Sequence, residues 1–373
     1  MTLTKQQYSI LDIMIDLKRD TTPNELENIY KGRHKEIGDS SIYKQLERLV
    51  ADGLAKRLAY GRYGITEKCL MLLKKKEIRE EYSVTFSEEE IKEFQKFAKI
   101  DDCLELLADM VNPALLGLLK ERLAVLISLI STKDIHGDRN RVTVLLSGPP
   151  STGKTQIIKW IYHFLWGFWV DSDASKSSLK GTGKGYQFSE GVLQKADNSI
   201  LLVDEIDKMN KKDQEALLSA IELGTVKVDK DRVDRETPAR IRVIATCNNK
   251  GQVIEQLLNR FDIQFDIKKL NEEERDKLIT KRTNDWNREK LSQKGPDFLK
   301  KYLIFANQWG TKLPEDREWI NGCLLHELKY GVLQTKDPRQ LEAVYRVAIA
   351  IGKLRLHQEV TQEDIKKAIE MLG

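Results

Sequence analysis

The fold is decided by VTVLLSGPPSTGKT, residues Val142–Thr155. The first half of this stretch is an apolar run of the kind that a buried parallel strand shows. A loop containing Gly148 and Gly153 follows, and the apolar residues after Thr155 start a helix. Strand, glycine loop and helix in this order predict a phosphate-binding P-loop. The alternative is a glycine-rich turn that carries a lysine by chance, and the two flanking elements count against it.

Each residue type in the loop suits a phosphate chain. Gly148 and Gly153 let the backbone curl until its N–H groups face phosphate oxygens, and the helix N-terminus adds positive potential. Lys154 would reach the β- and γ-phosphates, and Thr155 would offer its hydroxyl to Mg²⁺. We therefore predict a site for ATP and Mg²⁺. Its nucleotide-binding residues are Gly148, Pro149, Pro150, Ser151, Thr152, Gly153, Lys154, Thr155 and Gln156.

A second apolar run, Ile200–Val203, ends in two acids, Asp204 and Glu205. In a nucleotide-binding sheet this is the Walker B position. We expect Asp204 to hold the Mg²⁺ shell, and Glu205 to orient and deprotonate the attacking water. The alternative is an ordinary strand with acids at its exit, which the P-loop one domain length upstream disfavours.

Three later residues complete the predicted catalytic set. Asn248 follows the buried strand Ile241–Thr246 and could contact the γ-phosphate or the attacking water. Arg260 either pairs locally with Asp262 or acts as an arginine finger on a neighbour's phosphate. Arg339 stands in the first turn of a predicted helix, where a cation opposes the helix dipole. It is therefore either solvated or held by an anion, for which phosphate is a candidate.

Residues 4–73 follow the order of a winged helix-turn-helix, three helices and then a hairpin. Apolar residues repeat with a helical period in Gln6–Leu17, Pro23 opens a second helix, and Gly53 ends a third. The outward face of the third helix carries Ser41, Lys44, Gln45 and Arg48. The predicted wing carries Lys56, Arg57 and Arg62. We expect this face and wing to bind DNA; the alternative is a winged helix that contacts protein, with its charges solvated.

Charge and cysteine usage narrow the setting of the protein. Residues 1–76 hold 15 Lys/Arg against 10 Asp/Glu, whereas the whole chain carries a net charge of only +4, so positive charge concentrates near the N-terminus. The four cysteines are scattered without metal-ligand or disulfide spacing, which favours a reducing, cytoplasmic location and no structural zinc. No signal peptide is recognisable. The most apolar window, Ile157–Val170, contains Lys159 and is too short to span a bilayer, so we expect no membrane partner.

From Ser87 onward the chain resembles the minichromosome maintenance (MCM) family of replicative helicases, a branch of the AAA+ ATPases, and especially archaeal or mobile-element members. The lead-in to the ATPase domain is similar in SEEEIKEFQKFA (87–98) and MVNPALLG (110–117). The Walker A, Walker B and arginine-finger motifs are similar in GPPSTGKTQ (148–156), LLVDEIDKM (201–209) and LLNRFD (257–262). The C-terminal helical subdomain is similar in DPRQLEAVYRVAIAIGKLRL (337–356) and VTQEDIKKAIEML (360–372). Together these stretches are far more specific than a P-loop alone.

The resemblance implies a role for each matching residue. The half of the ATP site within one subunit would consist of Lys154, Thr155, Asp204, Glu205 and, as sensor 1, Asn248. Arg260 matches the arginine finger and Arg339 matches sensor 2, which in the family reach a neighbour's nucleotide and imply a ring, usually a hexamer. Lys230 falls at the hairpin lysine that touches DNA in the pore. Other replication proteins are implied as partners.

The sequence also departs from the family. Nothing in it resembles the family's large N-terminal domain, and the winged helix precedes the ATPase, whereas family members commonly carry one after it. The insert between Walker A and Walker B, which helps to drive DNA in the family, looks shortened. Residues 175–187 in this region are rich in Ser, Gly and Lys and are expected to lie outside the core. The Walker A motif reads GKT after two prolines, closer to generic AAA+ proteins.

The sequence therefore predicts an α/β AAA+ P-loop NTPase core with a C-terminal helical lid subdomain, preceded by a winged helix-turn-helix domain. The predicted domains are residues 1–80, 81–270 and 271–373. The predicted function is an MCM-like AAA+ ATP hydrolase that acts on DNA as a helicase or translocase motor in replication. One alternative is a DNA-bound remodeller or loader without unwinding activity. Another is a DNA-binding regulator with a vestigial ATPase, whose mark would be a lost Walker or finger residue, and none is lost.

Overall fold

The computed structural model divides into two compact units, residues 1–80 and 81–373. The residues that it describes are 7, 10–11, 13–14, 21–33, 42–58, 61–66, 85–115, 117–131, 139–172, 176–184, 187–230, 233–269, 271–274, 276, 280, 295–330 and 338–373.

The first unit contains helices and a small hairpin. Its elements are α1 (Pro23–Arg33), α2 (Ile42–Ala51), β1 (Ala55–Arg57) and β2 (Tyr63–Ile65). Before α1, the described residues between 7 and 14 are also helical. The two strands pair in an antiparallel fashion, and Gly53, with a φ of 70°, allows the turn that ends α2 and leads into β1.

The core of the first unit forms around the buried face of α2. Leu46 and Leu49 pack with Leu11, Leu26 and other fully buried apolar side chains. One prediction on this helix is wrong, because Gln45 is buried at 3% exposure rather than facing outward. Its position one residue before Leu46 places it at the margin of the apolar stripe, where helical spacing of three and four turns it inward.

The second unit begins with three helices that lead into the sheet: α3 (Glu88–Ala98), α4 (Cys103–Met110) and α5 (Leu119–Ile130). Ser87 caps α3. Its hydroxyl accepts a hydrogen bond from the Glu90 N–H at 3.2 Å, and the Glu90 carboxylate accepts one from the Ser87 N–H at 3.0 Å. This reciprocal pair satisfies two of the orphan donors at the helix start. Helix α5 is almost wholly buried and packs against the central sheet.

The central part of the unit alternates strands and helices. In chain order the elements are β3 (Val144–Ser147), α6 (Lys154–Phe164), β4 (Phe168–Val170), α7 (Lys176–Lys180), β5 (Thr182–Lys184), β6 (Gln187–Ser189), α8 (Val192–Lys195), β7 (Ile200–Val203), α9 (Lys211–Leu223), β8 (Thr225–Lys230), β9 (Val233–Pro238), β10 (Arg242–Cys247), α10 (Glu255–Leu258) and β11 (Ile263–Asp266).

Five of these strands form a parallel sheet in the order β11-β3-β10-β7-β4. Strands β3, β7 and β10 are buried along their whole length, as expected for parallel strands covered on both faces. The register sets Leu146 beside Thr246 and Val203 beside Ala245. The loops that follow these three strands therefore emerge at the same edge of the sheet, where ligands bind in open α/β sheets.

Two hairpins stand apart from the sheet. Strands β5 and β6 form a short antiparallel hairpin, and β8 and β9 form a longer one beside it. The expectation that residues 175–187 lie outside the core is wrong at one position, because Leu179 on α7 is fully buried. A single leucine in a polar stretch anchors this helix against its neighbours α8 and α9.

The chain ends in a helical subdomain, as the sequence predicts. Its helices are α11 (Gly295–Gln308), α12 (Glu318–Tyr330), α13 (Pro338–Leu354) and α14 (Gln362–Leu372). Helix α13 packs against α14 and against α5 from the lead-in, which ties this subdomain to the ATPase core. Within the described parts of the chain, no helix combines the length and the apolar character that crossing a bilayer requires.

Candidate active site

The P-loop joins the end of β3 to the start of α6, and two of its positions accept only glycine. Gly148 has a φ of 150°, and a Cβ there would lie 2.2 Å from the carbonyl oxygen of Ile267. Gly153 has a φ of 93°, and a Cβ there would lie 2.8 Å from the side chain of Leu115. The backbone therefore forms the tight cradle that phosphate binding requires.

Lys154 is buried at the first position of α6, and its ammonium group points back into the loop. Its Nζ donates to the carbonyl oxygens of Gly148 at 2.7 Å and Pro149 at 2.8 Å, and to the Thr152 hydroxyl at 3.1 Å. Burial lowers the pKa of Lys154 below its usual value. A phosphate group in the loop would offer this cation a stronger, charged acceptor than the carbonyl oxygens do.

Asp204 links the end of β7 to β10 and to the start of α6. Its Oδ1 accepts hydrogen bonds from the hydroxyl of Thr155 at 3.0 Å and from that of Thr246 at 2.6 Å. The Thr246 hydroxyl in turn accepts from the N–H of Glu205 at 2.9 Å. Thr246 was not among the residues predicted from the sequence. The feature that could have indicated it is a hydroxyl side chain near the end of a largely apolar strand.

Glu205 directly follows Asp204 and has a left-handed backbone, with a φ of 51°. Asn248 donates to its Oε1 at 3.1 Å, and Lys208 pairs with its Oε2 at 2.7 Å. The hydrogen bond from Lys208 lowers the pKa of Glu205, so this carboxylate is charged at neutral pH. The structure thus brings Glu205 and Asn248 together, and it adds Lys208 as a partner that the sequence analysis did not name.

Asp207 is a further acid beside this group. Its side chain is 7% exposed, and its Oδ2 accepts from the Asn249 N–H at 3.1 Å. Its Oδ1 is buried and has no hydrogen-bond partner among the described residues. Asp207 is the third acid after β7 in the sequence. This position could have indicated a site residue, but no role was predicted for it.

These residues fit a nucleoside triphosphate with a divalent cation. The glycine cradle, the N-terminus of α6 and the Lys154 ammonium supply positive potential for phosphates. The Thr155 hydroxyl and the Asp204 carboxylate lie within hydrogen-bond distance of each other and are the hard oxygen ligands that Mg²⁺ prefers.

Arg260 lies in a different neighbourhood. Its guanidinium pairs with Glu222 near the end of α9, so the local pairing with Asp262 that the sequence allowed is wrong. Its backbone oxygen accepts from the Thr143 hydroxyl at 2.8 Å and from Arg139 at 3.1 Å. Both the backbone and the side chain of Arg260 are therefore held by neighbouring elements.

Asp262 is instead a buried carboxylate between two other arginines. Arg139 lies 2.6 Å from its Oδ2 and Arg346 of α13 lies 2.7 Å from its Oδ1, while Thr143 donates through both its N–H and its hydroxyl. Burial by itself would raise the pKa of Asp262, but the two arginines outweigh it and the pKa is lowered. This carboxylate links the start of β3, the segment after α10 and the lid.

Arg260 and Arg339 line one cleft of about 510 Å³, together with Arg317. Among the described residues, the lining of this cleft includes neither the P-loop glycines nor Asp204 and Glu205. The structure therefore divides the predicted catalytic residues into two groups, one at the P-loop and one in this cleft, named here the arginine cleft.

The predicted DNA contacts of the first unit lie partly on its surface. The exposed residues among them are Lys44, Arg48, Lys56, Arg57 and Arg62. Ser41 lies outside the described residues. In the second unit, the backbone of Lys230 pairs with Val233 at the tip end of the β8–β9 hairpin, and its side chain lies outside the described part of the chain.

Arg57 is engaged within the first unit rather than free to contact phosphate. It pairs with Glu47 of α2 at 2.9 Å and donates to the Tyr43 hydroxyl at 2.6 Å. Its guanidinium also lies over the rings of Tyr43 and Tyr63, 6.0 and 5.8 Å from their centroids. Glu47 thus neutralises one of the predicted phosphate contacts, and this contact between α2 and the hairpin could not be seen in the sequence.

A five-stranded parallel sheet, a P-loop, an acid pair on the neighbouring strand and a C-terminal helical subdomain define the class of AAA+ P-loop ATPases. The comparison with known families agrees in detail. The family described as the MCM P-loop domain matches residues 90–285, and the one described as the MCM AAA-lid domain matches residues 297–373. The chain belongs to the MCM family.

Individual relatives come from archaea and eukaryotes. The chain is 29% identical over 327 residues to the minichromosome maintenance protein MCM of Saccharolobus solfataricus, a match that covers 78% of this chain and 47% of that protein. It is 27% identical over 340 residues to an uncharacterized MCM-type protein of Methanocaldococcus jannaschii, covering 78% and 48%. It is 25% identical over 334 residues to the DNA replication licensing factor MCM5 of Arabidopsis thaliana, covering 77% and 46%. The chain thus spans about half the length of these relatives.

Proposed function

We propose that this protein hydrolyses ATP with Mg²⁺ and uses the energy to move on or open DNA, as an MCM-like helicase or translocase motor in replication. The observation that carries the proposal is the division of the predicted site into a P-loop half and an arginine cleft. Arginines that lie away from their own P-loop would be available to complete the site of a second copy.

At the P-loop half, each side chain has a task that its contacts support. Lys154 would exchange the loop carbonyl oxygens for phosphate oxygens, and Thr155 and Asp204 would hold Mg²⁺, which would neutralise charge at the phosphates. Glu205 accepts the proton of the attacking water. Asn248, bonded to Glu205 Oε1, keeps this carboxylate in place. Thr246 fixes both acids relative to each other through its hydroxyl.

The other half of the site belongs to the neighbouring subunit in this proposal. Arg260 acts as the arginine finger and Arg339 as sensor 2, both on the neighbour's nucleotide. The subunits form a ring, which the resemblance to the family suggests is a hexamer. One relative is named as a DNA replication licensing factor. We therefore propose other replication proteins as partners. The scattered cysteines of the sequence support a cytoplasmic location.

Residues 1–80 form the DNA-binding winged helix of the proposal. Exposed Lys44 and Arg48 on α2, with Lys56 and Arg62 on the hairpin, contact phosphates. In the pore, Lys230 on the β8–β9 hairpin contacts DNA. The adjacent β5–β6 hairpin forms part of the same DNA-facing surface.

A specific observation favours a second candidate, a remodeller or loader that docks on a protein without unwinding DNA. Tyr43 is 50% exposed on α2, and Arg57 beside it is neutralised by Glu47. An exposed aromatic ring with a neutralised cation next to it is typical of protein contacts rather than of phosphate contacts.

The two candidates differ in what DNA does to the protein. ATP hydrolysis is measured with and without duplex DNA, alongside displacement of a labelled strand from a forked duplex. If the protein is a motor, we expect DNA to stimulate ATP hydrolysis and the labelled strand to be displaced. DNA-stimulated hydrolysis without displacement would favour the loader, and hydrolysis indifferent to DNA, with no DNA binding, would overturn the motor proposal.

A further inference from the structure

The arginine cleft contains a cation to which neither the sequence nor the family resemblance gives a role. Arg317 immediately precedes α12 and lines the cleft with Arg260 and Arg339. Its side chain is exposed. Within the described parts of the chain, no carboxylate pairs with it, whereas Arg260 is paired with Glu222.

The cleft has more positive than negative charge. Five arginines line it, namely Arg139, Arg260, Arg317, Arg339 and Arg346, against the three carboxylates of Glu222, Asp262 and Glu342. Asp262 forms ion pairs with Arg139 and Arg346, and Glu342 also lies 3.6 Å from Arg346. The three acids thus pair with Arg139, Arg260 and Arg346, and the excess of positive charge in the cleft suits a polyanion.

Arg317 is held at a defined place rather than on a loose loop. Its backbone oxygen accepts the first helical hydrogen bond of α12, from the Asn321 N–H at 3.0 Å, and Asp316 caps the helix by accepting from the Glu318 N–H at 3.0 Å. Asn321 also accepts from the Tyr345 hydroxyl of α13 at 3.2 Å. Arg317, directly before α12, and Arg339, on α13, therefore belong to segments that a hydrogen bond joins.

We propose that Arg317 is a further arginine that contacts the phosphates of the nucleotide held by the P-loop of a neighbouring copy of this chain. The proposal rests on the two-subunit site proposed above and adds a residue to it. A guanidinium offers a planar fork of donors that matches phosphate oxygens in pairs.

The test uses the full chain and three substitutions. Arg317→Ala removes the contact, Arg317→Lys keeps the charge but not the fork, and Lys366→Ala is the control, since Lys366 is an exposed cation on α14 outside the cleft. Self-association is measured by sedimentation with Mg²⁺ and ATP, and again with ADP. Hydrolysis is measured on each variant alone and on its mixture with Lys154→Ala.

We expect Arg317→Ala to need at least about tenfold more protein for ATP-dependent association, because it loses one charge-assisted hydrogen bond to phosphate. Arg317→Lys should fall between this variant and the wild type, and Lys366→Ala should match the wild type. Hydrolysis lost in Arg317→Ala should return on mixing with Lys154→Ala, because each variant supplies the half that the other lacks.

Three results would overturn the proposal, and they are distinguishable. If the wild type associates with ATP but Arg317→Ala behaves as Lys366→Ala does, Arg317 has no role and the two-subunit site stands without it. A loss of hydrolysis in Arg317→Ala that mixing does not restore would likewise place its effect within one subunit. If the wild type does not associate with ATP at all, the two-subunit site fails, and the role of Arg317 fails with it.

Discussion

At the scale of single residues, the site depends on a carboxylate that is held on both oxygens. Asn248 and Lys208 each bond one oxygen of Glu205, which keeps the group charged and aimed. A base that must take a proton from water is helped by this fixed orientation. It is hindered by Lys208, which lowers the pKa of Glu205, so we expect that ion pair to loosen when nucleotide binds.

This view predicts the outcome of two matched substitutions. Glu205→Gln should still bind ATP but should hydrolyse it slower by orders of magnitude, because the amide cannot accept the proton. Lys208→Met removes the same ion pair but leaves the base, so its rate should stay within about tenfold of the wild type. Nucleotide titration and steady-state phosphate release measure the two properties. Hydrolysis by Glu205→Gln at the wild-type rate would show that another group is the base.

At the scale of elements, Asp262 connects three parts of the second unit through two buried ion pairs. Arg139 precedes β3, Arg346 lies on α13, and Arg260 is two residues away with its backbone oxygen bonded to Arg139. A buried pair stabilises little by itself, because desolvation offsets the attraction, but breaking it leaves uncompensated charge. The position of Arg260, the proposed finger, should therefore depend on this carboxylate.

Asp262→Ala tests that dependence. Leaving Arg139 and Arg346 buried without their partner should cost about 3–5 kcal/mol of folding stability, which lowers the melting temperature by on the order of ten degrees. The control is Asp234→Ala, which breaks the exposed ion pair with Lys227 and should change stability by less than about 1 kcal/mol. Calorimetry compares the two variants. Equal melting temperatures would mean that the Asp262 cluster is not needed to hold the fold.

The first unit supports a second prediction at this scale. Arg62→Ala and Arg48→Ala should each weaken duplex binding and reduce its salt dependence by about one counterion, since a phosphate contact is lost. The charge-neutral pair of changes Glu47→Ala with Arg57→Ala should leave the salt dependence unchanged, because these two side chains already neutralise each other. Duplex titrations at several salt concentrations separate the cases.

The outcome for residues 1–80 also separates DNA binding from protein docking. Equal DNA affinity of the full chain and of a chain shortened to begin at residue 83 would show that the first unit does not bind DNA. The exposed Tyr43 face would then be the place to look for a protein contact.

At the scale of the whole molecule, the arginine cleft and the P-loop of one chain do not share lining residues among the described ones. We expect an ATPase built in this way to work between subunits. Arg260→Ala and Lys154→Ala should each be inactive alone and should regain activity when mixed, because some interfaces then combine an intact P-loop with an intact finger.

The expected gain is large enough to measure, since an arginine finger contributes on the order of a thousandfold or more to the rate. The two purified variants are mixed at concentrations where the wild type is oligomeric, and phosphate release is followed. Absence of recovery, with subunit exchange shown separately by a label, would mean that Arg260 acts within its own subunit, and the ring would lose its main support.

The sequence by itself determined the ATPase fold and the P-loop half of the site. Gly148, Gly153, Lys154 and the acids after β7 follow strands whose apolar runs are unmistakable, and their order along the chain sets their place at one edge of a parallel sheet. Local chemistry was sufficient there because each residue acts within a few positions of the strand that carries it.

Only the tertiary structure decided which groups those residues meet. Arg260 pairs with Glu222 and not with its near neighbour Asp262, which instead binds arginines from two distant segments. Arg317 joins Arg339 in one cleft although 22 positions separate the two along the chain. Such contacts depend on how helices and loops pack over long sequence separations, where the spacing of residues along the chain carries no information about distance.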